Sequence, residues 1–366
     1  MNVIIPKYIK DYIFYSENLR LGFSEMLNIS EENDSSEVKV VLDPRDTAWG
    51  SSTEGSGSEG IWSTSTTYAT DEIVDFLPEK GSRDEGQWKQ YKSLIDENIA
   101  HIPPTYGTDA SWTDLGTINK FKAVDYYVNT QLETSTLISS KNGSLKIRFR
   151  TRTLTSVALI NIKAATYKIS MWEGTSIDYS TAKTMTIPAT LLNTPTVKKL
   201  YSKTRSYVEW MFQPFDFSIN KVESMPGSLY PNIICEIEFG QYSNEEIKIG
   251  AIIPGISKEI GNLQIGVSTG IKDYSRKITD ESFGETYLKK GNYKDTLDGD
   301  VLFLQTEKDD INNILRQIRA TPTVFNGNQY ESDFTDFIIY GYISSFNIIH
   351  SGYNHCTANI EIEGLI

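Results

Sequence analysis

The sequence predicts a mainly β protein with a β-sandwich at its centre, and three observations predict it. The polar excess lies in Ser, Thr, Asn and Tyr, with 21 tyrosines in 366 residues. Thr and Tyr suit pleated surfaces, while Asn and Ser suit turns. Short stretches alternate apolar with polar residues, the period of a half-buried strand. Turn residues punctuate these stretches at the spacing expected of a sandwich. At roughly 100–200 residues per domain, the length implies two or three units.

The elements follow in order. Residues 1–27 read as an extended arm of mixed patterning. Residues 28–37 are acidic and polar, Val38 to Leu42 form a plausible short strand, and the run 50–60, GSSTEGSGSEG, is a linker or loop by composition. Residues 62–118 form a compact aromatic unit. Strands are then expected at Leu145/Ile147/Phe149, Val157–Ile162, Tyr167–Trp172, Val208–Phe212 and Cys235/Ile237/Phe239. Another is expected at Ile247–Ile253, stopped by Pro254-Gly255. Ile311, Ile314, Leu315 and Ile318 recur at i, i+3, i+4 and i+7, so a helix is expected there, capped by Thr306 and Asp309 and ended by Pro322. Phe337–Phe346 and Cys356–Ile362 close the chain as strands.

Charge and composition exclude several classes. Forty-eight acidic against 35 basic residues give a net charge of −13, which repels a phosphate backbone and argues against nucleic-acid binding. Residues 49–118 hold 12 acids and 4 bases, a large share of that imbalance. Two cysteines far apart, Cys235 and Cys356, read as reduced thiols in strands rather than a disulfide framework. The opening residues lack the apolar core of a signal peptide, and no apolar run approaches the ~20 residues that span a bilayer, so synthesis in the cytoplasm and no membrane span are expected.

Chemistry-bearing patterns are sparse. His101 lies in the Pro-rich turn HIPPTYG, and His350, His355 and Cys356 share the segment HSGYNHC, which reads as a hairpin turn. Three donors without a second cluster fall short of a convincing zinc site. There is no Gly-x-Ser-x-Gly elbow and no phosphate-cradling loop with its lysine. Leu297-Asp298-Gly299-Asp300 is too short for a calcium loop, and no carboxylate pair stands out for glycoside hydrolysis. The expectation is a non-enzymatic protein without cofactor or metal.

The strongest local signal is aromatic. Trp62, Tyr68, the strand around Ile73-Val74, Tyr91, Asn98, Pro103-Pro104 and Trp112 follow one another in an order that resembles the chitin-binding-type carbohydrate modules of chitinases and cellulases. The insertion near 79–87 departs from that pattern. The resemblance implies that Trp62, Tyr68, Tyr91 or Trp112 stacks on sugar rings, since the C–H face of a pyranose packs on an aromatic face. The competing reading makes the same four rings the core of a unit too small to be built from lesser side chains.

Trp112-Thr-Asp-Leu-Gly-Thr-Ile-Asn119-Lys-Phe121, leading to Asp125, is similar to a segment of bacteriophage tail and baseplate proteins that carry such a unit. The order of Ile9–Ile13, Ile271–Lys277, Arg319–Pro322 and Tyr340-Gly341-Tyr342 is similar too. The resemblance implies three units: residues 1–118 with the arm and the carbohydrate-module-like unit, 119–265 as a β-sandwich of jelly-roll or galactose-binding-like type, and 266–366 as an α+β assembly unit. It implies a structural component of a phage tail, in the virion, joined to other tail or baseplate proteins in a symmetric homo-oligomer. Contact with a host surface glycan is an added role, and the alternative is a glycan-binding adhesin or tail-fibre module for host recognition.

Overall fold

The structure is a computed structural model. It describes residues 1–7, 11–17, 35–40, 60–76, 89–104, 107–117, 119–125, 127–134, 143–174, 190–200, 219–225, 230–241, 246–279, 286–327, 337–350 and 352–365. The chain is mainly β, with a curled antiparallel sheet and one short α-helix among the described residues. Most of the Gly/Ser-rich stretch 50–60 and the expected strand Val208–Phe212 lie outside the described residues.

The largest sheet has eleven strands. Its path runs Ile219–Ser224, Ser156–Lys163, Lys248–Glu259, Asn2–Pro6, Thr323–Asn326, Ile338–Ile349, His355–Gly364, Tyr293–Leu304 and Asn262–Leu263. Leu132–Glu133 and Ser268–Asp273 pair off this path. It therefore draws strands from all three segments expected from the sequence. Residues 2–6, expected only as part of an extended arm, form an interior strand: Ile4 pairs with Ser257 on one side and with Val324 on the other.

Alternation sends successive side chains to opposite faces. One face bears Ile4, Ala158, Ile160, Ala251, Ile253, Val324, Ile338 and Tyr340, which form a single apolar cluster. On the other face, Val157, Leu159, Ile162, Ile249 and Ile252 meet a second sheet. That sheet, of six strands, runs Lys198–Lys199, Thr166–Glu173, Ile233–Gln241, Gly143–Thr151, Asp11–Glu17 and Ser35–Val40. It contributes Leu145, Ile147, Phe149, Met171, Cys235, Ile237 and Phe239 to the shared cluster. Farther along the same face of the large sheet, Val3, Val301, Phe303, Phe325, Cys356, Ile360 and Ile362 pack with the helix Lys308–Gln317 through Ile311, Leu315 and Ile318.

Two expectations are corrected. The strand expected to stop at Pro254-Gly255 continues to Glu259. The Pro254 carbonyl accepts from Lys7 N, so its ring nitrogen lies on that same side, one residue beyond the end of Asn2–Pro6, where no ladder donor is lost. Gly255 is needed because a Cβ there would lie 2.5 Å from Ile5 O. The helix cap also differs. A 3-10 turn, Gln305–Glu307, precedes the helix, and it is the Glu307 carboxylate that accepts from Leu304 N, at 3.3 Å. The helix ends at Gln317, and Ala320, with φ +58°, turns the chain toward Pro322. No helix of the described residues is long and apolar enough to cross a membrane.

Because Asn2–Pro6 joins strands that lie far apart in the sequence, its packing should govern global stability. Ile4→Ala should cost about 2–5 kcal/mol through lost transfer energy and a cavity. Gly255→Ala should cost about 1–3 kcal/mol by overpacking the same pairing. Urea unfolding checks both, and losses under about 0.5 kcal/mol at both positions would contradict the interior role of this strand.

Candidate functional site

The aromatic unit was the first candidate from the sequence. Its four-stranded sheet runs Gly60–Ile61, Ile73–Phe76, Lys89–Ser93 and Trp112–Thr117, beside the pair Thr67–Tyr68 and Asn98–Ile99. Tyr68, Val74, Tyr91 and Trp112 form a closed cluster, with Trp62 and Phe76 packed against it. The rings meet edge to face: Tyr68–Trp112 at 5.4 Å, Phe76–Tyr91 at 6.0 Å and Trp62–Phe76 at 5.5 Å between centroids. Tyr91 and Trp112 have no accessible surface and Tyr68 keeps only 7%. A buried ring offers no face to a sugar, so the stacking role expected of these three residues is replaced by a core role. Trp62 is half-buried.

Polar bonds lock this core. Trp112 Nε1 donates to His101 O at 2.8 Å, and the His101 ring bonds Asn98 Oδ1 at 2.9 Å through Nδ1. Asn98 Nδ2 donates to Ser93 Oγ and Ser111 O, and Tyr68 Oη accepts from Ser63 N. Several acids of this charged segment serve as turn caps. Glu72 accepts from Ala69 N, Asp96 from Thr70 N, Asp109 from Ser111 N and Trp112 N, and Asp114 from Gly116 N.

At the unit's exit, Asp125 joins the 3-10 helix Asn119–Val124 to the following loop. Its carboxylate accepts from Tyr127 N at 2.9 Å and Thr130 Oγ1 at 2.7 Å, and also bonds the Thr117 hydroxyl. Burial raises its pKa from 3.8 to about 7, against those hydrogen bonds and the Lys122 charge, which lower it.

The histidine-rich turn is a hairpin between Ile338–Ile349 and His355–Gly364. His350 and His355 are exposed, whereas Cys356 is buried in the apolar cluster against the helix. Cys356 Sγ lies 3.7 Å from His350 Nδ1, and Lys308 Nζ lies 3.0 Å from Nε2. No group of three or more metal-ligating side chains occurs among the described residues. Cys235 is also free and buried, and burial pushes its thiol well above its ordinary pKa.

The sequence did not point to a cleft of about 580 Å³ on the large sheet. It lies between the strands Ser156–Lys163 and Ile219–Ser224 on one side and Ser268–Asp273 with Tyr293–Leu304 on the other. A bulge shapes its first wall. Between Leu159 and Ile162 the register shifts, and Asn161 adopts φ +55°, a conformation that Asn tolerates better than most residues. Asn161 N donates to Asn220 Oδ1 at 2.9 Å, Asn161 Nδ2 to Val128 O at 2.7 Å and Asn220 Nδ2 to Ile338 O at 3.0 Å. The last bond draws the edge strand toward Ile338–Ile349. The sequence carried a faint signal, since Asn161 interrupts an otherwise apolar run from Val157 to Ile162.

Lys294, on the opposite wall, hydrogen-bonds Glu363, which also accepts from Tyr342 Oη at 3.0 Å and lies 3.7 Å from Lys272 Nζ. The contact with Glu363 raises the Lys294 pKa, and the same bond lowers that of Glu363. Glu363 thus lies between Lys272 and Lys294, which face each other across paired strands.

No family model matches this chain, and no curated protein matches it.

Two outcomes check this geometry. Trp112→Ala should cost about 3–5 kcal/mol and unfold the small unit, read as loss of its amide protection in hydrogen exchange. A fully protected Ala variant would contradict the core assignment. For Asp125, the folded state holds a proton between pH ~4 and ~7 that the unfolded chain has lost, so ionisation on raising the pH through that window destabilises the fold. Melting temperature should therefore rise as pH falls from about 7 toward 4, by more in the wild type than in Asp125→Asn. Equal slopes would remove Asp125 as the cause.

Proposed function

We propose that this chain is a non-enzymatic structural subunit of a bacteriophage tail (baseplate, tail tip or tail-associated ring) that assembles with other tail proteins as a symmetric homo-oligomer. The motif order from Trp112 to Asp125 and through the C-terminal third supports the tail reading. Two sheets sharing one apolar cluster support a sandwich of jelly-roll or galactose-binding-like type for residues 119–265.

The observation that carries the assembly reading is an exposed β arm. Ser268–Asp273 pairs with Tyr293–Leu304, and Arg276–Thr279 pairs with Thr286–Lys289. All six residues of Ser268–Asp273 are exposed, so neither face of this strand is covered. Ile265 and Leu288 are almost wholly accessible, and Ile271 is 68% exposed. A strand bare on both faces gains little from its own subunit and suits pairing with another chain.

The arm also carries an uncompensated charge pair. Arg276 lies directly opposite Lys289, and like charges at that position repel. Lys272 and Lys294 have Glu363 between them, whereas Arg276 and Lys289 have no acidic partner among the described residues. An acidic surface on a neighbour would relieve the repulsion, and residues 49–118 of a second copy have that character. Contact between two different surfaces of one chain is heterologous, and it closes into a ring when the rotation permits.

The test is twofold. Mass spectrometry and cryo-EM of purified particles should locate the chain in the tail. In sedimentation velocity, Arg276→Glu combined with Lys289→Glu should abolish self-association while leaving the melting temperature within about 2 °C, as exposed substitutions do. Unchanged association would refute the arm's role, and absence from the tail would refute the tail reading.

A further inference from the structure

We propose that the cleft beside the Asn161 bulge binds a neutral carbohydrate. Its volume, about 580 Å³, lies within the range of small-ligand pockets and suits a mono- or disaccharide. The lining offers the Asn129, Asn161 and Asn220 amides and the Thr296 hydroxyl. Amides and hydroxyls both donate and accept, which matches the hydroxyl groups of a sugar.

The charges at this site do not call for a charged ligand. Lys294 is already bonded to Glu363, and Asp295 is also engaged. The neutral groups retain capacity. Among the described residues, Asn161 Oδ1 makes no hydrogen bond, and each of the Asn161 and Asn220 amide nitrogens uses one of its two protons. The side chain of Asn129 is exposed and makes no bond among the described residues. Because the bonds to Val128 O and Ile338 O fix Asn161 and Asn220 in place, binding there costs little ordering entropy.

The second wall adds a hydroxyl. Gly270 pairs with Thr296, and a Cβ at Gly270 would meet Thr296 Oγ1 at 3.2 Å, so the two share one face of the arm. Thr296 also pairs with Glu363, which places Thr296 and Lys294 on the face that carries the Lys294–Glu363 bond. The missing side chain at Gly270 leaves room beside the Thr296 hydroxyl, opposite the amides of the first wall.

The inference goes beyond the assembly reading and stands without it. Saturation-transfer NMR on the full chain, with methyl glycosides of glucose, galactose, rhamnose and N-acetylglucosamine and their disaccharides, tests it. Sialyllactose and glucosamine serve as charged controls. At least one neutral sugar should bind, more tightly than the charged controls. Thr296→Val and Asn129→Ala should each weaken that binding at least about fivefold with an unchanged melting curve, the scale of one lost hydrogen-bond contact. Trp62→Ala should leave it unchanged. Absence of neutral-sugar binding, preference for a charged sugar, binding that survives both cleft substitutions, or loss on Trp62→Ala alone would overturn the proposal. A chain that assembles but binds no sugar would refute this site and leave the assembly reading standing.

Discussion

The fold depends on one pairing constraint: a five-residue strand near the start of the sequence lies between strands from the middle and the end of the chain. Asn2–Pro6 hydrogen-bonds Lys248–Glu259 and Thr323–Asn326, and its side chains enter two different apolar clusters. Val3 packs toward the helix Lys308–Gln317, while Ile4 packs on the other face with Ala158 and Val324. A slip by one residue would exchange those faces. Gly255 adds a steric limit, because any side chain there would meet the Ile5 backbone. The cleft inherits its shape from this sheet, since both its walls are built on strands of the same sheet.

Much of the fold was legible in the sequence because strand alternation is a local signal. Leu145, Ile147 and Phe149 face the core and Cys235, Ile237 and Phe239 lie beside them, as their spacing implied. The helix was legible for the same reason, through Ile311, Leu315 and Ile318. Partnership was not legible. Nothing local in NVIIP announces an interior strand, and Pro254 read as a terminator because its tolerance depends on where a neighbouring strand ends.

The candidate site was less legible. The aromatic order around Trp62, Tyr68, Tyr91 and Trp112 marked a real cluster, but order cannot tell a buried ring from an exposed one. Small units need large rings inside, and here that need took three of the four. The cleft combines residues from six separate segments, so no sequence window contains it. Its nearest local trace is a polar residue in an apolar strand, Asn161, whose role appears only when the bulge and Asn220 are seen together.

The bare strand of the arm has a consequence for the chain before it meets any neighbour. An uncovered edge is an unselective template, and free subunits could add to one another in the wrong register and precipitate. Arg276, Lys277 and Lys289 make such stacking costly, because every misaligned copy brings more positive charge together. The same lysines and arginine therefore act as gatekeepers in the free subunit. Their protection weakens with salt, which screens exposed charges beyond roughly 10 Å at 0.1 M ionic strength. Handling in concentrated salt would favour amorphous deposits of the free chain, and storage at low ionic strength would preserve it.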